Sequence, residues 1–162
     1  MIEAIVEYLP ISHSDSARGA KWELFSEAIS DGTSNHYLSE IKSLMQISSG
    51  IYIFYDSLGR AIYVGKADKL SLWKEANDAF NRDRREHQQM WLVNHPERNV
   101  SKVIRNRKIV RTDVVLSEIA TYFSAYIVET KHIGTMEAFL IRAFVNNLMN
   151  KRIETFRLTG ED

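Results

Sequence analysis

Two tyrosines, Tyr52 and Tyr63, stand with ten residues between them in the stretch Gly50 to Lys66, GIYIFYDSLGRAIYVGK. Aromatic residues favour strands, so either tyrosine alone means little, and it is the pair at this spacing that invites a chemical reading. Candidate cations follow. Lys66 comes three residues after Tyr63, and Arg84 and His87 are one helical turn apart, close enough to act on a single group. Arg98 to Arg111 then holds six basic residues and no acidic one, among them Arg105, Arg107 and Lys108. Such a run neutralises phosphates and gives salt-dependent affinity. A solvated loop with surplus bases is the bland alternative.

The elements that must position these residues are readable in part. Gly50 to Lys66 alternates β-branched and aromatic residues around the turn run Asp56-Ser57-Leu58-Gly59, a β-hairpin signal with a mechanism. Before it, Ile2 to Leu9 is a short segment ended by Pro10, Ala17 to Ser30 fits a helix through Trp22, Phe25 and Ile29, and Tyr37 to Gln46 fits a second helix. After it, Asp68 is a candidate N-cap for a helix running to about Leu92. The stripe Leu70, Trp73, Asn77, Phe80, Arg84, His87, Trp91 begins apolar and ends polar. Burying an unpaired guanidinium and imidazole on it is costly, so Arg84 and His87 border an open cleft, pair with something there, or roll into water. Tyr122 to Val128 reads as a third strand. Gly134-Thr135 opens a last helix whose buried face is Met136, Phe139, Leu140, Ala143 and Phe144. Glu137 then falls in the first turn, where it complements the helix dipole by ~0.3–1 kcal/mol, and Asn150 is a candidate C-cap.

Length and composition set the class. The chain has 162 residues, 44% of them hydrophobic and 26% charged, which fits one globular domain with an elaboration. No apolar run approaches the ~20 residues that span a bilayer. The absence of cysteine excludes disulfides and thiolate metal sites and agrees with a cytoplasmic protein. Net charge is zero but unevenly spread, since residues 1–48 carry seven acids against three bases. A basic remainder keeps nucleic acid open as a partner.

The tripeptides Gly50-Ile51-Tyr52 and Tyr63-Val64-Gly65, on one hairpin, resemble the paired motifs for which the GIY-YIG nuclease family is named. The run from Glu137 to Asn150, Lys151 and Arg152 is also similar to the family, whose members carry a glutamate here and an asparagine about a dozen residues later. The resemblance covers residues 49–152. It implies a Mg²⁺-dependent (or Mn²⁺-dependent) endonuclease acting on DNA. In that reading Glu137 holds a single divalent ion and Asn150 fixes the geometry beside it. Arg84 and Lys66 bind the scissile phosphate, Tyr52 or Tyr63 takes the proton from water, and His87 assists. One departure stands out: many members have arginine where this chain has Trp73, and Arg84, then Arg82, is the replacement.

The expected fold is α/β (α+β), a small three-stranded mixed or antiparallel sheet flanked by helices. An acidic helical extension over 1–48 precedes the nuclease-like domain at 49–152, and a tail follows at 153–162. The extension is a candidate for substrate selection or for homo-oligomer contacts. The runners-up are a catalytically silent nucleic-acid-binding module that retains the fold, and a small regulator whose tyrosines are core. The nuclease reading requires the phenols, Arg84, His87 and Glu137 to converge on one concave, positive surface.

Overall fold

The computed structural model describes residues 2–12, 22–27, 34–82, 89–94, 108–113 and 115–144. At its centre is the hairpin of β2 (Gly50–Tyr55) and β3 (Ala61–Ala67), paired antiparallel with Tyr52 opposite Gly65 and Phe54 opposite Tyr63. Asp56 builds the turn. Its Oδ1 accepts from the Leu58 and Arg60 amides at 2.9 and 3.0 Å, its Oδ2 pairs with the Arg60 guanidinium at 2.7 Å, and Gly59 supplies the left-handed φ of 73°.

The sheet has four strands rather than three. β6 (Tyr122–Val128) lies against β2, and β1 (Ile2–Pro10) lies against β6, giving the all-antiparallel order β1-β6-β2-β3. The N-terminal segment is therefore an outer strand of the sheet and not part of a helical extension. Its partner lies more than a hundred residues away, and so distant a pairing leaves no local pattern. β1 is bulged between Ala4 and Val6 and between Val6 and Leu9, and in the second bulge Tyr8 has a left-handed φ of 50°. Such a backbone costs a bulky residue of order 1–3 kcal/mol and persists only where its surroundings hold it.

The helices differ from expectation mainly at their ends. α1 (His36–Ile47), capped by Asn35, matches the sequence reading closely. α2 (Leu72–Asn81) starts at Ser71, whose side chain accepts from Lys74, not at Asp68, and it stops where Arg82 turns extended. Beyond it, β4 (Gln89–Asn94) and β5 (Lys108–Asp113) form a separate antiparallel pair, so the long helix to Leu92 does not exist. Residues 22–27 are not helical either. They run as an irregular segment, bridged at Phe25 to Ser12 and tied to α2 by two amides: Asn81 accepts from the Trp22 N–H and donates to the Trp22 carbonyl, both at 2.7 Å, and Asn77 accepts from Leu24 at 3.0 Å. Asn77, a polar member of the stripe, and Asn81 are thus docking groups.

A short turn of helix, α3 (Leu116–Ile119), leads into β6, and α4 (Thr130–Ala143) follows it. α4 begins four residues earlier than Gly134; Ile133, Glu137, Ala138 and Ile141 are buried, the expected Met136, Leu140 and Phe144 pack partly buried against the same core, and Phe139 is 57% exposed. Glu137 is consequently about two turns into the helix, beyond the reach of the N-terminal dipole.

Strand alternation splits the core in two. One face of the sheet carries Tyr52, Phe54, Tyr63 and Phe123, covered by α1, α2 and residues 22–27. The other carries Ile51, Ile53, Tyr55, Val64 and Val128, covered by α4. Among the described residues no helix is long and apolar enough to cross a membrane.

Candidate active site

Each glycine of the paired tripeptides has a steric reason. A side chain at Gly50 would run into the Tyr126 carbonyl of β6, so its absence lets the third strand approach. A side chain at Gly65 would strike the Cζ and hydroxyl of Tyr52, so the end of that phenol lies directly on the Gly65 backbone. Tyr52 and Tyr63 stack with ring centroids 6.2 Å apart and 26° between planes. Both are almost enclosed, at 3% and 6% exposure, among Phe54 and Phe80.

Lys66 follows Gly65 and faces the other way, opposite Ile51. Its Nζ lies 3.0 Å from Glu137 Oε2, with the lysine side chain 30% exposed and the glutamate 10%. Ile133 and Ile141 flank Glu137 one turn to either side. A carboxylate so enclosed among aliphatic groups would be costly to leave ionised without a cation beside it. Lys66 supplies that cation from the outermost strand of the sheet.

Tyr52 and Tyr63 therefore do not share a sheet face with Glu137, contrary to the convergence the sequence reading requires. The phenols are on the α2 side and the ion pair on the α4 side. They come nearest at β3, where the Tyr52 hydroxyl rests on Gly65 and the next residue carries the ammonium. Tyr63 is three residues from Lys66, roughly 10 Å along an extended strand.

The remaining candidates divide simply. Arg82 is the exposed C-cap of α2, and Lys108 is the first residue of β5. Arg84, His87, Arg105, Arg107 and Asn150 lie outside the described residues.

Trp73, where an arginine was looked for, is half-buried and packs edge-on against Phe25 at 5.1 Å. Lys42 of α1 sits over its ring, 4.9 Å from the centroid, and reaches Glu27 at 2.8 Å and Glu23 at 3.4 Å. Burial of the ammonium pulls the Lys42 pKa down, and the two carboxylates outweigh this and hold it above the usual lysine value. Nothing in the spacing of Lys42 and Trp73 foretells this contact, which depends on the packing of α1 against α2.

Among the described residues no group of three or more acidic or histidine side chains could cage a metal ion. A magnesium ion that keeps most of its water needs only one or two protein carboxylates, and Glu137 offers one beside the strand edge. That carboxylate is enclosed and already faces the Lys66 ammonium, so a hydrated cation there would have to displace the lysine.

A second polar group went unnoticed in the sequence. Tyr126 is opposite Ile51 and Ser124 opposite Ile53, so alternation along β6 sends both to the α4 side, where they meet Tyr55, Tyr8 and Glu7. Once the register is known, the pattern of β6 alone reveals this cluster. In comparison with known proteins, no family model matches the chain, and no curated protein or solved structure matches it at a significant level.

Proposed function

We propose that the chain is a metal-dependent endonuclease that hydrolyses phosphodiester bonds of DNA, with its reacting centre wrapped around the outer edge of β3. The observation that carries this reading is the chain of contacts from the Tyr52 phenol to Gly65, and from its neighbour Lys66 to the buried Glu137. A phosphate lying along the strand edge would meet the Lys66 ammonium, which has three donors and shares itself readily between anions. This reading takes Tyr52, whose ring ends against Gly65, as the acceptor for the proton of the attacking water. Tyr63, stacked beneath it, keeps the ring in place. The bond that forms joins the water oxygen to phosphorus, and the bond that breaks releases the 3′-oxygen. Glu137 would hold a Mg²⁺ or Mn²⁺ ion, which when bound supplies positive charge to the phosphoryl oxygens. Exposed Arg82 would contact the backbone further along.

One observation favours a second reading, a nucleic-acid-binding module without cleavage. The phenols are nearly enclosed on the sheet face opposite Glu137, and Trp73 fills the position of the usual arginine with core. Incubation of the purified chain with supercoiled plasmid separates the two. Nicking that requires Mg²⁺ and falls by about 10²–10³ in Glu137→Gln is the expected result, the size typical of losing one group that stabilises transition-state charge. Salt-sensitive binding with no nicking in the parent chain would assign the module instead.

A further inference from the structure

A cavity of about 430 Å³ lies between the sheet and α4, on the α4 face away from the phenols of the hairpin motif. That volume is in the range of pockets that hold small organic molecules. Most of its wall is aliphatic, from Ile51, Ile53 and Val128 below and Met136 and Leu140 above. The other end is different in kind, being formed by Tyr8, Tyr55, Tyr126 and Glu7.

That end is built. The Tyr8 and Tyr55 rings lie 4.4 Å apart at 32°, and Tyr126 donates to Glu7 Oε1 at 2.9 Å. The Tyr55 hydroxyl is neighboured by those of Ser124, Tyr126 and Tyr8. Ser124 is fully buried and accepts the Tyr8 N–H at 3.0 Å, across the bulge whose left-handed turn at Tyr8 brings that ring over Tyr55. The left-handed turn at Tyr8 thus accompanies the Tyr8–Tyr55 pair, beside the Tyr126–Glu7 bond.

The chemistry of the lining selects the ligand. Among the residues lining the cavity Glu7 is the one charged group, so its field favours a cation and repels an anion. Aromatic faces favour a cation as well, most of all a weakly hydrated organic one. The aliphatic remainder asks for an apolar body attached to it. We propose that this cavity binds an organic cation, its ammonium or amidinium head at Glu7 among the three tyrosines and its hydrocarbon body between β2 and α4.

The test uses the full chain and phenethylammonium as probe, with 3-phenylpropionate as the control of like body and opposite charge. Binding is read by calorimetry and by methyl NMR shifts. The proposal expects saturable binding of the cation, with the largest shifts at Met136, Ile51 and Ile53, and at least about tenfold weaker binding of the carboxylate. Glu7→Gln, at an exposed position, should weaken the cation about tenfold and leave the fold intact. Met136→Trp, which fills the cavity, should abolish binding and leave the melting temperature equal or higher. Absence of saturation, equal affinity for the two probes, or an unchanged affinity in Glu7→Gln would each overturn it.

Discussion

The two faces of the sheet solve opposite problems with the same strands. On the α2 face the side chains are large, aromatic and closely stacked: Phe54 lies 5.8 Å from Phe80, Phe25 lies 5.9 Å from Phe123, and the polar Asn77 and Asn81 are used up in holding a backbone. On the α4 face the side chains are mostly aliphatic, yet that face encloses a carboxylate, a fully buried hydroxyl, a tyrosine network and a cavity. The difference shows where this fold concentrates its aromatic packing and where it gathers its polar groups, and the proposed chemistry draws on one from each side. The hairpin serves both, because the pleat turns alternate residues of one motif to opposite sides.

If the aromatic face is the structural one, its loss should dominate stability. Phe80→Ala removes a fully buried ring and should destabilise by about 3–5 kcal/mol in denaturant titration. Glu137→Gln, on the other face, keeps its volume and leaves a lysine that can turn to water, so it should cost under about 2 kcal/mol. Equal losses would break the contrast.

The strand between the faces should respond in both ways. Gly65→Ala forces the Tyr52 ring to move within a packed core, which should cost about 1–3 kcal/mol and lower nicking more than stability alone explains. A variant as active as the parent would separate Tyr52 from the chemistry.

The smallest effect belongs to the tyrosine network. Burial, and then the Glu7 carboxylate, pushes the Tyr126 phenol well above the ordinary tyrosine value, and burial raises Tyr55 in the same direction. A raised acid favours the neutral folded form, so stability is intact below about pH 10 and declines as pH rises from there towards the folded values. Tyr126→Phe should cost about 1 kcal/mol near neutrality through its lost bond to Glu7, and should flatten the alkaline decline seen in melting curves.

Much of this was readable from the chain alone. The hairpin, α1 and the strand Tyr122–Val128 followed from β-branched runs, turn residues and a helical repeat, because each is specified within about a dozen residues. What was missed depends on distant partners. β1 is a strand because β6 offers an edge, and residues 22–27 stay irregular because Asn77 and Asn81 receive their backbone. In α4 the expected Met136, Leu140 and Phe144 do pack towards the sheet, and Glu137 is buried by its place against β3 rather than by where the helix starts. Of the site, Lys66 and Glu137 were named but their contact was not. That contact depends on how α4 lies across β3, which no spacing in the sequence records.

Manganese titration followed by NMR tests the placement of the site most directly, since the paramagnetic ion broadens only signals near it. Broadening should begin at Glu137 and spread to the Lys66 and Gly65 amides of β3, and Glu137→Gln should remove it. Broadening that spares this strand edge, or that survives the substitution, would contradict a metal-assisted centre there.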